Sequence, residues 1–180
     1  HAVTHDGRTL IFTRQTADMS GEVFVLSLDG EPSPRPLFTS PAYEGGAALS
    51  PDKRWLAYCS NESGRFEVYV RPFPDASRKL VVSTSGGNQP VWSRDGKELL
   101  YRNGSQMLAV PVRTGRDLDL GTPEVLFDQE FSFGGSGTTF AQFDVAGDGR
   151  FLLFKRDTEP GRLHVVLNWT AELTRLTQAH

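Results

Sequence analysis

This chain is organised around the stretch Ser50-Pro51-Asp52-Lys53-Arg54-Trp55-Leu56-Ala57-Tyr58-Cys59, in which a polar turn leads directly into an apolar run. Related turns recur at Thr4-His5-Asp6-Gly7-Arg8, Ser93-Arg94-Asp95-Gly96-Lys97 and Ala146-Gly147-Asp148-Gly149-Arg150. The four aspartates are separated by 46, 43 and 53 residues. An Asp-Gly pair between apolar runs is typical of a hairpin turn, because glycine adopts a positive φ at little cost. The spacing therefore predicts four copies of one β unit, with Asp6, Asp52, Asp95 and Asp148 as structural turn residues.

Each unit contains several apolar runs of strand length rather than helix length. The run that follows the turn is followed by a second at 22–28, 66–70, 107–112 and 163–167. A third occupies 36–39, 80–83 and 125–127, and a fourth precedes the turn at 47–49, 90–92 and 140–143. Four strands in roughly 45 residues are the repeat of a β-propeller blade. We therefore predict an all-β fold, a β-propeller fragment of about four blades of four-stranded antiparallel sheet.

The predicted blades span approximately 1–40, 41–84, 85–129 and 130–169, within a single partial β-propeller domain over 1–180. Residues 170–178 are expected to form a short C-terminal helix that Thr170 caps. The runs 55–58 and 152–154 are apolar without alternation, so both faces of these strands need cover. Neighbouring blades provide that cover, and only outer strands such as 116–119 should face water. A βαβ fold is excluded because it needs helical spacers of about 10 to 15 residues.

Composition narrows the classes of function. The 180 residues carry a net charge of -3, so the chain lacks the positive charge that drives nonspecific binding to nucleic acid. A single cysteine, Cys59, excludes an internal disulfide and a cysteine-based zinc site. No stretch approaches the about 20 apolar residues that span a bilayer. We expect neither nucleic-acid binding nor direct membrane insertion.

The sequence contains no recognisable catalytic motif. The stretch Gly134-Gly135-Ser136-Gly137-Thr138 has threonine where a nucleophile elbow needs its last glycine. The four histidines lack the spacing of a zinc site. The recurring aspartates resemble a carboxylate ring for calcium or glycoside hydrolysis, but their fixed place in the turn favours a structural role. We therefore predict no enzyme activity, no metal and no cofactor.

The order of the strands assigns the loops to two opposite rims. The aspartate turns lie on one rim, and the connections between successive blades lie on the other. Loops on a rigid scaffold commonly carry function, so the connecting loops are the predicted ligand-binding rim. Their polar and aromatic residues are Tyr43, Glu44, Asn88, Gln89, Phe131 and Phe133. The alternative is that Glu44 and Gln89 only hydrogen-bond to the backbone of the inner strands.

Two groups of segments carry a resemblance to known families. Residues 50–58 and 60–70 resemble the WD-like repeats of TolB-type β-propellers, and the likeness extends over most of 2–169. The segments 89–96 and 167–173 are similar to the C-terminal propellers of bacterial membrane-anchored Ser/Thr protein kinases. Such propellers usually have six or more repeats, whereas this chain has about four and no kinase segment. The resemblance implies an extracytoplasmic, periplasmic location.

These observations favour a non-catalytic propeller module for protein or peptide interaction, such as the sensor or scaffold part of a larger signalling protein. The alternative is the propeller gating domain of a prolyl-oligopeptidase-like serine peptidase. Enzymes of that kind place similar repeats in front of an α/β-hydrolase domain.

An incomplete ring leaves an apolar sheet face open at each end, so the isolated chain is expected to form a homodimer. The residues expected to be shielded are Leu10, Phe12, Val23 and Val25 at one end, and Leu153, Val165 and Leu167 at the other. The competing arrangement is a monomer in which the terminal helix folds over one exposed sheet through Ala171, Leu173 and Leu176.

Overall fold

The computed structural model describes residues 2–3, 7–15, 21–30, 33–115, 117–129 and 139–153. These residues form fifteen strands in antiparallel sheets. They contain no helix, and so none that is long and apolar enough to cross a membrane. The all-β prediction is confirmed for this part of the chain. The predicted helix at 170–178 and the predicted strand at 163–167 lie outside the described residues.

Four sheets follow one another along the chain. The first contains β1 (Ala2–Val3), β2 (Thr9–Gln15), β3 (Gly21–Ser27) and β4 (Arg35–Pro36). The second contains β5 (Glu44–Leu49), β6 (Trp55–Ser60), β7 (Glu67–Pro72) and β8 (Leu80–Val81). The third contains β9 (Asn88–Trp92), β10 (Glu98–Asn103), β11 (Gln106–Thr114), β12 (Leu118–Leu120) and β13 (Glu124–Asp128). The fourth pairs β14 (Phe143–Val145) with β15 (Phe151–Leu153). We call β5, β9 and β14 the inner strands, because each contributes to one central cavity.

The second sheet is covered on both faces, which explains its unbroken apolar runs. All residues of β6 are buried. Trp55 and Ala57 belong to a core shared with Leu99 of the third sheet. Leu56, between them in sequence, belongs to a core shared with Ile11 of the first sheet. Each face is therefore removed from water, which stabilises the fold by about 25 cal/mol per Å² of apolar surface.

The first sheet has two different faces. Ile11, Val23 and Val25 pack against the second sheet. The prediction that Val23 and Val25 lie on the open face beside Leu10 and Phe12 is therefore wrong. The register explains the error: Ile11 pairs with Val25, and successive residues of a strand point to opposite faces. Leu10 and Phe12 alternate with Ile11 and lie on the other face.

The third sheet has five strands where the predicted blade has four, because part of the outer edge expected at 116–119 forms a strand of its own. The additional strand, β12, pairs with the end of β11. Within it Leu118 is only 7% exposed and joins the core shared with the second sheet. The expectation of a wet edge at 116–119 is therefore wrong for Leu118, whereas Asp117 and Asp119 are exposed. Strand alternation accounts for both, since it turns Leu118 inward and its acidic neighbours outward.

The inner strands of the second and third sheets share a left-handed bulge. Gly46 has a φ of 63° and Gln89 a φ of 55°, and the strand register shifts at both places. A Cβ on Gly46 would lie 2.2 Å from the carbonyl oxygen of Thr139, so this position requires glycine. At Gln89 the side chain has room, and its Oε1 accepts a hydrogen bond from the Gln142 N–H at 3.4 Å. The same backbone feature thus meets different neighbours in the two sheets.

Candidate functional site

The described turn aspartates close the turns that follow the inner strands. Asp52 Oδ1 accepts hydrogen bonds from the Ser50 hydroxyl at 2.6 Å and the Arg54 N–H at 3.1 Å. Asp95 makes the equivalent pair at 2.8 and 3.1 Å, and Asp148 keeps the backbone bond at 3.2 Å. The backbone N–H donated to each carboxylate lowers the pKa of Asp95 and of Asp148. These carboxylates are engaged in local turn structure.

The predicted ligand-binding rim lies at the opposite ends of the inner strands from these turns. Tyr43 and Glu44 stand at the start of β5, and Asn88 and Gln89 begin β9. Glu44 and Gln89 are each only 2% exposed, whereas Tyr43 and Asn88 are half-buried. Outside the described residues lie Phe131, Phe133 and the turn residue Asp6. The described members of the rim are therefore more enclosed than an open binding loop.

Tyr43 joins the second sheet to the segment that enters the fourth. Its hydroxyl lies 3.2 Å from the hydroxyl of Thr139, and its ring meets Phe66 edge-on with centroids 5.6 Å apart. Its backbone N–H donates to Asn61 Oδ1 at 2.9 Å. A Cβ on Gly45 would lie 2.8 Å from the Tyr43 ring, so this glycine makes room for it. Tyr43 thus helps to position the entry end of β5.

Gln89 likewise has a structural contact. The Gln142 N–H that it accepts belongs to the segment leading into β14, the next inner strand. This contact is a hydrogen bond to backbone, as in the alternative interpretation that Gln89 has a structural role. Asn88 Oδ1, next to it, is buried without a hydrogen-bond partner among the described contacts.

Glu44 differs from the rest of the rim because its charge is not compensated. Both carboxyl oxygens are buried and have no hydrogen-bond partner among the residues that the structure describes. Burial raises the pKa of Glu44 to about 7, and the nearby Ser40 hydroxyl and Arg71 guanidinium offset only part of that rise. Ser40 lies close to the carboxyl without meeting hydrogen-bond geometry. Near pH 7 about half of the Glu44 carboxyl groups are therefore protonated and neutral.

Glu67, at the start of β7, is a second buried glutamate, and no motif in the sequence points to it. It is 3% exposed and accepts hydrogen bonds from the Ser83 hydroxyl at 2.5 Å, the Gly86 N–H at 2.9 Å and Arg65 Nε at 2.8 Å. The available signal was an acidic residue opening an apolar strand, followed by the Ser/Gly-rich stretch 83–87. Glu67 holds the connection between the second and third sheets.

An open cavity of about 900 Å³ runs along the inner strands. Residues 46–49 of β5, 90–92 of β9 and the segment around Phe140, Ala141 and Phe143 line it. Trp92 is fixed in the wall, because its indole N–H donates to the Ala48 carbonyl at 3.0 Å. Among the described strands, β5 pairs only with β6 and β9 only with β10. The cavity therefore offers apolar side chains beside strand edges that have no strand partner in the described part of the chain.

Few polar side chains line this cavity. They are Ser93, Arg94 and Asp144. The described residues hold no group of three His, Cys, Asp or Glu side chains able to bind a metal ion. Burial raises the pKa of the Cys59 thiol to about 12, so it stays protonated and a poor nucleophile at neutral pH. This lining suits recognition by shape and backbone hydrogen bonding more than acid–base chemistry.

Several solved structures share this architecture. A TolB-type protein from Agrobacterium tumefaciens matches with a TM-score of 0.62 and 20% sequence identity, over 86% of this chain and 56% of that one. TolB from Acinetobacter baumannii matches with a TM-score of 0.51 and 17% identity, over 88% and 49%. The periplasmic gluconolactonase PpgL from Pseudomonas aeruginosa matches with a TM-score of 0.50 and 19% identity, over 92% and 55%. No protein-family model and no curated protein matches the chain.

The chain therefore has the TolB-like β-propeller fold, and the resemblance seen in its repeats is confirmed at the level of the fold. It spans about half the length of the structures that it matches. At these sequence identities the likeness shows the fold alone. The similarity to kinase-attached propellers remains a prediction.

Proposed function

We propose that this chain is a non-catalytic propeller module that binds a protein or peptide. The observation that carries the proposal is the cavity along the inner strands, whose lining is mainly apolar side chains and backbone. An apolar segment placed there loses contact with water, which favours binding by about 25 cal/mol per Å² before the costs of association are subtracted. The bound segment needs no reactive group from this chain.

An extended peptide is the ligand shape that this cavity favours. The edges of β5 and β9 that face the cavity have no strand partner among the described residues. Peptides commonly bind such edges by adding a strand, with main-chain hydrogen bonds supplying affinity. Val91 and Trp92 are consecutive and point to opposite faces of β9, so every second residue of an added strand would lie on the side of the half-buried Val91. The proposed ligand is therefore a segment with apolar residues at alternate positions.

The predicted rim forms the second part of this proposal. Tyr43 and Asn88 are half-buried at the starts of β5 and β9, where a segment leaving the cavity would pass. Glu44 and Gln89 lie beneath them and support that end of the strands. A binding role for Phe131 and Phe133 is proposed from the sequence alone.

A peptide-display selection tests the binding proposal. Random twelve-residue peptides are selected on the wild-type chain and measured by fluorescence anisotropy. We expect enriched peptides with alternating apolar residues, whose affinity falls at least about tenfold in Ala141→Arg because the new side chain fills the cavity. The matched control is Leu126→Arg, which places the same side chain on β13, at an exposed apolar position that does not line the cavity. Peptides that bind Ala141→Arg as tightly as wild type would contradict the proposal.

Lactone hydrolysis is a second candidate, because one matched structure of the same fold is a gluconolactonase. Arg94 and Asp144 are the charged side chains that line the cavity and would be its first candidates for polar contacts with a sugar lactone. Gluconolactone and its 6-phosphate are the substrates to assay. We expect no turnover above the spontaneous rate. Turnover that Asp144→Asn abolishes would establish the enzyme instead.

The same proposal includes the cellular compartment of the module, the larger protein to which it belongs and its oligomeric state. We assign it to an extracytoplasmic compartment, supported by the periplasmic gluconolactonase among its matches. A place in a larger signalling protein, as sensor or scaffold, is supported by the sequence resemblance. Homodimer formation would use the outer face of the first sheet, with Leu10 and Phe12. Light scattering at several concentrations checks it, since the monomer mass is 19.9 kDa.

A further inference from the structure

Glu44 lies at the seam between the first and second sheets. On the first-sheet side, the segment that follows β4 contributes Phe38 and Ser40 to this region. On the second-sheet side, the Tyr58 ring packs on Phe38 with centroids 4.9 Å apart. The Arg71 guanidinium covers the same Phe38 ring at 4.5 Å. The carboxyl group is thus enclosed by groups from both sheets.

Arg71 is the positively charged residue that acts most strongly on Glu44, but its guanidinium donates its hydrogen bonds to other groups. Arg71 Nε donates to the Tyr58 hydroxyl at 2.9 Å, and Arg71 Nη1 donates to the Ala76 carbonyl at 2.8 Å. The other charges that act on Glu44 are Glu62 and Lys79, which pair with each other. Burial raises the pKa of the Tyr58 hydroxyl above its usual range, and the charge of Glu44 adds to that rise. Within the described part of the chain neither oxygen of Glu44 has a hydrogen-bond partner, and the nearby Ser40 hydroxyl and Arg71 guanidinium offset only part of the effect of burial.

We propose that Glu44 makes this seam sensitive to pH, with the neutral acid holding the first sheet against the second and the carboxylate loosening the contact. A buried charge without hydrogen bonds is costly, so an ionised Glu44 is relieved only by separating the sheets and admitting water. We expect the seam to loosen locally, because Phe38, which packs on Tyr58, belongs to the core between the first and second sheets and not to the core shared with the third sheet.

The direction of the effect follows from the proton balance. The pKa of Glu44 is raised from 4.5 to about 7, so the folded seam holds a proton that the open seam releases. The stabilising contribution is fully present below pH 4.5 and is lost as the pH rises through about 7. This inference is independent of the ligand that the cavity binds.

Hydrogen exchange measured by mass spectrometry tests the proposal on the full chain. Wild type and Glu44→Gln are compared at the same pH, because the comparison cancels the intrinsic rise of exchange with pH. At pH 8.5 we expect the amides of β2 and β3 to exchange at least about tenfold faster in wild type than in Glu44→Gln. At pH 5 the two proteins should exchange alike. Equal rates at both pH values, or an equal excess in β10 and β11, would overturn the proposal.

Two further measurements keep the test decisive. Glu67→Gln is the matched control, since it changes the other buried glutamate of the same sheet and should keep the wild-type pH profile of β2 and β3. If it removes the pH dependence as well, the assignment to Glu44 is wrong. Should Glu44→Gln fail to fold, Glu44→Leu provides the second uncharged variant. Carbon-13 NMR of the wild-type glutamate carboxyls then reports Glu44 directly: a midpoint near 7 supports the proposal, and one near 4.5 overturns it.

Discussion

The second sheet contains two glutamates with nearly the same burial and opposite surroundings. Glu44 and Glu67 are 2% and 3% exposed. Glu67 accepts hydrogen bonds from Ser83, Gly86 and Arg65, whereas in the described part of the chain the oxygens of Glu44 accept none. Ser83 and Gly86 come from the connection after β8, and Arg65 lies just before β7, so all three partners of Glu67 belong to its own sheet and its adjoining loops. Near Glu44, Arg71 donates to Tyr58 and Ala76 instead, and Lys79 pairs with Glu62.

The difference shows that burial alone does not give a carboxylate its role. A carboxylate with several donors is a structural anchor, because removing it leaves those donors without a partner. A buried carboxyl group without hydrogen-bond donors favours the neutral form, and its ionisation destabilises the folded protein. The rim predicted for ligand binding therefore includes, in Glu44, a carboxyl group whose pKa is raised to about 7 by burial.

The largest effect should come from removing the anchor. Glu67→Ala leaves the Ser83 hydroxyl and the Gly86 N–H without their acceptor, and we expect a loss of roughly 3–5 kcal/mol in the free energy of unfolding. Urea denaturation followed by tryptophan fluorescence measures it. A loss below about 1 kcal/mol would mean that water replaces Glu67 without penalty, and the contrast with Glu44 would disappear.

A smaller effect of opposite sign is expected at Glu44. Glu44→Gln should raise the free energy of unfolding at pH 8.5 by roughly 1–2 kcal/mol, because the neutral amide avoids a buried charge. The shift of the pKa from 4.5 to about 7 sets an upper limit of about 3 kcal/mol, which solvent screening reduces. At pH 4.5 the variant should match wild type within about 0.5 kcal/mol. Urea titrations at the two pH values provide the measurement, and an equal difference at both would contradict the prediction.

The smallest effect should come from Arg65, the exposed member of the Glu67 cluster. Its side chain is 62% exposed, so its ion pair with Glu67 is largely screened by water. Arg65→Met should lower the free energy of unfolding by less than about 1 kcal/mol, and added salt should shrink the difference further. Thermal unfolding at low and high salt measures it. A loss as large as that of Glu67→Ala would show that the cluster depends on the ion pair instead of on Ser83 and Gly86.

The repeat made the architecture accessible from the sequence. Turns such as Asp95-Gly96 mark where strands meet, because their backbone chemistry is local and the spacing between them fixes the unit. The continuous apolar run of β6 similarly indicates a strand covered on both faces, as observed. Both signals depend only on residues close together in the chain. This is why the all-β fold could be predicted with little error.

The character of the candidate site could be predicted only in part. The positions of Tyr43 and Gln89 at the ends of inner strands follow from strand order. Their burial does not, because it depends on a segment about fifty to a hundred residues away that packs against them. Glu44 lacks a hydrogen bond from Arg71 because Arg71 donates to the Tyr58 hydroxyl and the Ala76 carbonyl. Which acceptors lie within reach of Arg71 depends on three-dimensional packing. The cavity likewise combines residues from three inner strands and is not marked by any motif.

The bulge at Gly46 and Gln89 has a consequence for how such chains can be rebuilt. The turns at Asp52 and Asp95 suggest interchangeable modules, yet the unit with Gln89 cannot take the place of the unit with Gly46. Its Cβ would collide with the Thr139 carbonyl, which lies 2.2 Å from that position. Gene duplication, or a library that shuffles the units, must therefore keep glycine at position 46, where the Thr139 carbonyl approaches the bulge. In this chain the repeats are alike as sequence but are individually fitted to their places in the ring.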